Sequence, residues 1–174
     1  MKKVVFSTFL VLGSVPATLS AAEIHFAGAY SADQLRGARL SLRSDSFAPE
    51  WLNWAASPTL AFEGGLNHWQ NSNDTADNIT AFSVSPILSW QLTQSSRPLF
   101  FEAGIGVTYL DNTRIGDRNL STHWHFEDRL GLAWQYNAES KARVSLAYTH
   151  HSNADIEKPN DGLDFFSLTW VLPF

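Results

Sequence analysis

The carboxyl-terminal stretch of the chain carries an apolar side chain at every second position. These side chains all stand at even-numbered positions, and so share one parity: Phe166, Leu168, Trp170, Leu172 and Phe174. Ser167 and Thr169 stand between them. Because successive side chains of a β-strand point to opposite faces, this spacing predicts a strand with one wholly apolar face. That strand needs apolar surroundings on one side only.

The same alternation recurs along the chain and predicts eight strands. It is clear over 82–92, 99–109, 130–136, 144–148 and 166–174, and weaker over 23–31, 34–44 and 58–70. Two kinds of polar connection alternate between the strands. Loops are expected near 31–33, 71–78, 111–121 and 151–163, and turns near 45–57, 93–98 and 137–141. No internal repeat or linker interrupts the pattern, so we expect one all-β domain.

Two architectures have strands with one apolar and one polar face. A soluble barrel or sandwich points the apolar face inward, whereas an outer-membrane barrel points it at lipid and keeps small, polar and charged residues inside. The strands here run to roughly 10–13 residues, nearer the ~9–11 that cross a membrane than the ~5–6 of soluble sheets. We therefore expect an eight-stranded antiparallel transmembrane β-barrel of the outer membrane. Its predicted lumen charge network is Glu102, Glu127, Arg129 and Arg143.

Composition agrees with a barrel and excludes other classes. The chain is 13% aromatic, yet its mean hydropathy is only −0.15. A barrel explains both values because half of each strand faces lipid and half faces the lumen. The net charge of −5 argues against a nucleic-acid partner. Since the chain has no cysteine, disulfides, cysteine metal sites and cysteine nucleophiles are excluded.

The first 22 residues have the three-part layout of a secretory signal peptide. Lys2 and Lys3 come first, an apolar run follows over 4–15, and the small residues Ala21 and Ala22 end the segment. We expect cleavage after Ala22, with Ala21 as the alternative. Residues 23–174 then form the barrel, in the outer membrane of a Gram-negative bacterium. Side chains fill so small a barrel, so its function belongs in the loops or on the outer wall.

The last predicted hairpin carries residue types that suit ester hydrolysis. His150 and Ser152 continue the apolar parity of their strand, and Asp164 continues the parity of Phe166. If the hairpin is symmetric about Glu157, Asp164 lies directly opposite His150. A serine, a histidine and a carboxylate so arranged can act as nucleophile, general base and orienting acid. The alternative is a solvated polar rim, since histidine and serine two residues apart are common by chance.

A second carboxylate competes for the role of the acid. The strand that contains Asp128 comes just before the strand that contains His150. If these two strands form a hairpin that is symmetric about Glu139, Asp128 lies on the other side of His150. A carboxylate that points toward lipid is costly and suggests a role. Asp164 is the first choice and Asp128 the second. Pairing of Asp128 with Arg129 or Arg114 is the structural alternative.

Several motifs, in the same order, resemble one enzyme family. They are His150-His151-Ser152-Asn153-Ala154 and Pro159-Asn160-Asp161-Gly162, preceded by 101–107, 113–117 and 126–129. The match is dense from about Pro98 to Phe174. This part of the chain resembles the lipid A 3-O-deacylase (PagL) family.

The resemblance implies an eight-stranded outer-membrane barrel that hydrolyses the 3-position acyl ester of lipid A. It implies that His150 is the base and Ser152 the nucleophile. The family's third member, usually a glutamate, falls on Asp164, whose side chain is one methylene shorter. The family's asparagines fall on Asn153 and Asn160, and suggest oxyanion stabilisation or loop shaping.

The expected partners are lipid A or lipopolysaccharide and the outer membrane, with the site facing the outer leaflet. A homodimer stays open. No cofactor, metal or nucleic acid is expected, since the pair His123 and His125 has no clear third ligand. Two other functions also stay open. One is an outer-membrane phospholipase, whose family shares a His-x-Ser-Asn motif, and the other is a structural or adhesion barrel without enzymatic activity.

Overall fold

The computed structural model describes residues 21–174. Eight long strands form the barrel: β1 (Ala21–Tyr30), β2 (Leu35–Ser44), β3 (Thr59–Asn71), β4 (Asn78–Gln91), β5 (Leu99–Leu110), β8 (Trp124–Gln135), β9 (Arg143–Ser152) and β10 (Leu163–Pro173). Two short strands, β6 (Arg114–Ile115) and β7 (Arg118–Asn119), pair within the β5–β8 connection. A 3-10 helix, Glu50–Ala55, lies between β2 and β3. Among the described residues, no helix has both the length and the apolar character needed to cross a membrane.

The eight long strands close on themselves. Their order around the barrel is β1-β10-β9-β8-β5-β4-β3-β2. β1 pairs antiparallel with both β2 and β10, so the sheet has no free edge. The expected eight-stranded antiparallel barrel is confirmed. The predicted leader, 1–22, lies outside the described residues except for its last two, whose backbone begins β1.

The alternation seen in the sequence separates an outer face from an inner one. Each long strand exposes large apolar side chains of a single parity. One from each strand, in chain order, is Phe26, Leu40, Leu66, Phe82, Ile105, Leu130, Leu146 and Phe166. Side chains of the other parity point into the lumen and are mostly buried. This exposed apolar face is the outer wall of the barrel.

Ion pairs fill the lumen. Glu63 is almost fully buried and accepts hydrogen bonds from Arg39 at 3.0 Å and Arg43 at 2.9 Å. Arg129 also donates to Glu63, at 2.9 Å. Arg43 reaches Glu102 at 2.7 Å. Buried charges are tolerated only when they are paired and hydrogen-bonded, as they are here.

The predicted lumen network is confirmed and is larger than expected. Glu127 pairs with Arg39 at 2.8 Å, and Arg143 pairs with Glu23 at 2.5 Å. The partners that the sequence reading did not name lie on β1, β2 and β3, where the alternation is weakest. There, several outward positions hold small or polar residues, such as Gly28, Gly64 and His68, which interrupt the apolar face that makes a strand easy to recognise.

The two ends of the barrel differ. The end that carries the segments 31–34, 72–77, 111–123 and 153–162 is called the loop end, and the opposite end is called the turn end. An apolar cluster closes the loop end: Leu35, Trp69, Ile79, Ala81, Leu110, Ile115, Leu120, Leu163 and Phe165. Because β6 supplies Ile115, the short hairpin packs into the barrel mouth.

Candidate active site

The register of β9 and β10 brings His150 and Asp164 together. They are direct partners across the pair, as the symmetry about Glu157 predicts. His150 Nδ1 lies 2.7 Å from Asp164 Oδ1. The histidine side chain is 35% exposed and the carboxylate 43% exposed. When the neutral ring donates from Nδ1, its Nε2 carries the free lone pair that a general base needs.

Ser152 lies two residues beyond His150 at the end of β9. It shares the parity of His150 and stands opposite Phe126 on β8. Within the part of the chain that the structure describes, no hydrogen bond joins the Ser152 hydroxyl to His150. Bonds between nucleophile and base are often long before substrate binds.

Asp128 stands opposite His150 on the other side, in β8. This register is also the predicted one, about Glu139. Asp128 is exposed. No hydrogen bond or ion pair among residues 21–174 joins it to His150. The contacts of the imidazole therefore favour Asp164 over Asp128 as the orienting carboxylate.

Tyr148 is a member of this cluster that sequence reasoning missed. Its hydroxyl donates a hydrogen bond to Asp164 Oδ1, the same oxygen that faces His150. The ring packs against Phe166, with centroids 5.4 Å apart. A tyrosine two residues before the histidine, on the same face, is a sequence signal, but its aromatic character alone suggests only a membrane-interface residue.

The two predicted asparagines have different surroundings. Asn153 is buried, and its Nδ2 donates to the carbonyl oxygens of Leu120 at 3.1 Å and Glu157 at 2.9 Å. Its backbone N–H donates to Asn160 Oδ1 at 3.1 Å. Among the residues that the structure describes, Asn160 Nδ2 donates only to Asp155, at 3.3 Å. Asn153 therefore shapes the loop, whereas the amide of Asn160 lies beside the residue that follows Ser152.

The short β6–β7 hairpin holds the loop that follows Ser152. Asp161 accepts a hydrogen bond from the backbone N–H of Asn119 at 2.7 Å. Arg118 donates to the Asp161 carbonyl at 2.8 Å and also pairs with Asp33. The hydrogen bond that Arg118 donates to the Asp33 carboxylate raises the pKa of Arg118 above its ordinary value. These contacts tie the β6–β7 hairpin to the loop that follows Ser152, about 40 residues further along the sequence.

A glycine lies directly against the imidazole. Gly162 has φ +64°, in the left-handed region that suits glycine. A Cβ at this position would stand 3.1 Å from His150 Cε1. Gly162 therefore serves both the turn and the close approach of the loop to His150.

The two histidines that were considered as a metal pair each have a ring nitrogen within hydrogen-bond distance of a backbone carbonyl oxygen. His123 Nδ1 lies 2.6 Å from the Leu110 carbonyl, and His125 Nε2 lies 2.9 Å from the Thr122 carbonyl. Among the described residues, no group of three or more His, Cys, Asp or Glu side chains is arranged to hold a metal ion.

Comparison with known proteins identifies the family. A family model described as "Lipid A 3-O-deacylase (PagL)" matches residues 36–173, which is well over half of the chain. The chain belongs to this family. The resemblance found in the motifs is thereby confirmed, and it extends to strands in which no motif was recognised.

Individual PagL proteins show the same likeness. The lipid A deacylase PagL of Pseudomonas aeruginosa is 32% identical over 136 residues, covering 78% of this chain and 76% of the relative. The lipid A deacylase PagL of Bordetella bronchiseptica is 29% identical over 134 residues, covering 77% and 71%. A solved structure, described as "Crystal structure of the outer membrane enzyme PagL", has a TM-score of 0.72 and 26% identity, covering 88% of this chain and all of that one. The expected enzyme class and outer-membrane location are confirmed.

Proposed function

We propose that the chain hydrolyses the ester that holds an acyl chain at position 3 of lipid A, with Ser152, His150 and Asp164 as its catalytic triad. The observation that carries the proposal is the 2.7 Å contact between His150 Nδ1 and Asp164 Oδ1, on the hairpin that also carries Ser152. Membership of the PagL family supplies the substrate class. The contact between His150 and Asp164 supports this assignment of roles.

The reaction follows the chemistry of serine esterases. His150 Nε2 takes the Ser152 proton while Ser152 Oγ attacks the acyl carbonyl carbon. The bond to the sugar oxygen then breaks, and His150 gives its proton to that oxygen, which leaves as the 3-hydroxyl. Water attacks the acyl-serine with His150 again as base. Ser152 leaves with the proton returned from His150, and the free fatty acid is released. Asp164 stabilises the imidazolium in both steps.

Asn160 is the best candidate for stabilising the oxyanion. Its Oδ1 is anchored by the backbone N–H of Asn153, next to the nucleophile. Among the described residues, its Nδ2 donates only to the exposed Asp155, through a long contact that it could exchange for a hydrogen bond to the oxyanion. A preorganised donor at the developing oxyanion is among the largest contributions to ester hydrolysis. Asn153 has its Nδ2 committed to two carbonyl oxygens, which suits loop shaping.

We place the triad on the outer wall, at the end of the barrel that faces the cell exterior. His150, Ser152 and Asp164 share the parity of the exposed residues Leu146 and Phe166. A site on the outer wall meets an ester bond while the lipid stays in its leaflet. Lipid A occupies the outer leaflet, so the loop end faces outward and the turn end faces the periplasm.

One chain is sufficient for this site. The three triad residues and Asn160 all come from the β9–β10 hairpin and its loop. A homodimer, which the sequence leaves open, is therefore not required to complete this set of residues. Export with removal of residues 1–22 fits the same location and predicts a mature protein that begins at Glu23, or at Ala22 with the alternative cut.

The deciding experiment is mass spectrometry of lipid A from cells that produce the full chain. We expect loss of the 3-position acyl chain with the unchanged protein. Ser152→Ala should abolish this loss while the barrel still folds, and Ser72→Ala, an exposed loop serine, is the matched control that retains it. Intact lipid A with released lysophospholipid would indicate a phospholipase instead. No lipid change, from a folded protein, would indicate a structural or adhesion barrel.

A further inference from the structure

Two donors converge on one oxygen of Asp164. His150 Nδ1 lies 2.7 Å from Oδ1, and the Tyr148 hydroxyl lies 2.5 Å from the same atom. Tyr148 is not opposite Asp164 but diagonal to it, since its direct partner in β10 is Phe166. Diagonal neighbours in a sheet stand ~7–8 Å apart, a distance that an aromatic side chain can span. The tyrosine therefore reaches along the outer face to the carboxylate.

Asp164 needs such a restraint. Its side chain is short and 43% exposed, so water competes for its oxygens. Tyr148 is itself restrained, because its ring packs against Phe166. A hydrogen bond from a restrained donor to a charged acceptor is among the stronger ones in proteins. It holds the carboxylate toward His150.

We propose that Tyr148 is a positioning residue that fixes Asp164 in the orientation that His150 requires. This inference rests on the proposed triad. It concerns the present chain, in which aspartate stands at the third triad position. The shorter carboxylate reaches His150 by direct opposition in the sheet, and the tyrosine hydroxyl keeps it there.

The test compares two tyrosines that flank the same phenylalanine. Phe166 has Tyr148 as its partner on β9 and Tyr30 as its partner on β1. Tyr148→Phe removes the hydroxyl that binds Asp164, and Tyr30→Phe makes the same change on the same row of the outer wall. We expect Tyr148→Phe to lower kcat for lipid A deacylation roughly tenfold with KM unchanged, because the lost bond is to a charged group. Tyr30→Phe should leave both constants unchanged.

A double-mutant comparison tells positioning from a general structural role. In an Asp164→Ala background the tyrosine has no acceptor to hold, so Tyr148→Phe should have no further effect. Slow labelling of Ser152 by a long-chain fluorophosphonate, followed by mass spectrometry, measures rates too low for turnover assays. An equal loss in both backgrounds, or a Tyr148→Phe enzyme as active as Tyr30→Phe, overturns the proposal. If the unchanged protein itself fails to deacylate lipid A, the proposed function fails instead.

A second, independent observation concerns the turn end. The 3-10 helix exposes two tryptophans, Trp51 at 66% and Trp54 at 84%, while Leu52 between them is buried. Trp90 donates a hydrogen bond from Nε1 to the Ala55 carbonyl at 2.8 Å. Trp90 has the outward parity of its strand, so the helix lies beside the outer wall and not over the lumen.

We infer that Trp51 and Trp54 bind the headgroup boundary of the phospholipid leaflet at the turn end. The indole ring favours this boundary because it has an apolar body and a polar N–H. The patch is continuous, through Trp90, with the apolar outer wall that lies in the membrane. The helix is thus a membrane-surface anchor built into a connection between strands.

The absence of cysteine makes a direct test available. A nitroxide on Trp54→Cys and one on Ser95→Cys, an exposed residue of the neighbouring turn, report local surroundings in vesicles of phosphatidylethanolamine and phosphatidylglycerol. We expect the label at position 54 to collide more with oxygen and less with a water-soluble nickel chelate than the label at position 95. Equal accessibility of the two labels to the nickel chelate overturns the inference.

Discussion

His150 has two carboxylates opposite it in the sheet and contacts one of them. Asp164 on β10 and Asp128 on β8 are both its direct partners in register. Direct opposition brings Cβ atoms to ~4.5–5.5 Å, and side-chain torsions then decide which oxygen reaches the imidazole. Parity and hairpin symmetry are sufficient to find both carboxylates in the sequence. They do not rank them, since the order that puts Asp164 first rests on the family resemblance. They also cannot show that Tyr148 turns its hydroxyl toward Asp164.

The ranking of the two carboxylates can be tested by amide substitution. Asp164→Asn should lower kcat about a hundredfold or more, because an asparagine cannot stabilise the imidazolium that forms on His150. Asp128→Asn should lower kcat much less, since Asp128 has no hydrogen bond to the ring in the described structure. Turnover of purified lipid A in detergent micelles measures both. An inactive Asp128→Asn beside an active Asp164→Asn would reverse the assignment.

Among the strands and helices, those with a long alternating pattern could be predicted from the sequence, and the very short ones could not. The first three strands, predicted over 23–31, 34–44 and 58–70, lie within two residues of β1, β2 and β3. The β6–β7 hairpin was missed, because strands of two residues have no period to detect. It exists through tertiary contacts, such as that of Asn119 with Asp161. The 3-10 helix in the predicted turn 45–57 was missed because its six residues are also too few to show a repeating pattern.

The loop after Ser152 depends on one buried side chain. Asn153→Ala removes the donors to the carbonyl oxygens of Leu120 and Glu157. Each lost hydrogen bond contributes roughly 0.5–1.5 kcal/mol, so the loop should open more often. We expect faster protease cleavage within 153–162 and a severalfold lower deacylation rate.

The matched control is Asn73→Ala, which changes an exposed asparagine in another loop at the same end. It should leave both the cleavage rate and the deacylation rate unchanged. If Asn153→Ala loses all activity while its loop stays as resistant to protease as the unchanged protein, Asn153 acts on the substrate and not on the loop.

At the scale of the whole molecule, the barrel reverses the usual arrangement of apolar and polar side chains. The outer wall is apolar, and the lumen holds ion pairs whose members come from strands far apart in the sequence. Arg39 on β2 and Glu127 on β8 are joined across the lumen at 2.8 Å. The low mean hydropathy of an aromatic-rich chain follows from this arrangement. Such pairs help to hold opposite sides of the barrel together.

Glu63 is the point at which this network is most vulnerable. It is almost fully buried and accepts hydrogen bonds from Arg39, Arg43 and Arg129. Glu63→Ala leaves these guanidinium groups short of a counter-charge, and removal of one member of a buried ion pair costs about 3–5 kcal/mol. We expect that decrease in the free energy of unfolding, measured by urea titration in detergent micelles. Glu139→Ala, at an exposed position in a turn, should change it by less than about 0.5 kcal/mol. An unfolding free energy as high in Glu63→Ala as in Glu139→Ala would show that water entering the lumen replaces the carboxylate, and that closure of the sheet alone stabilises the barrel.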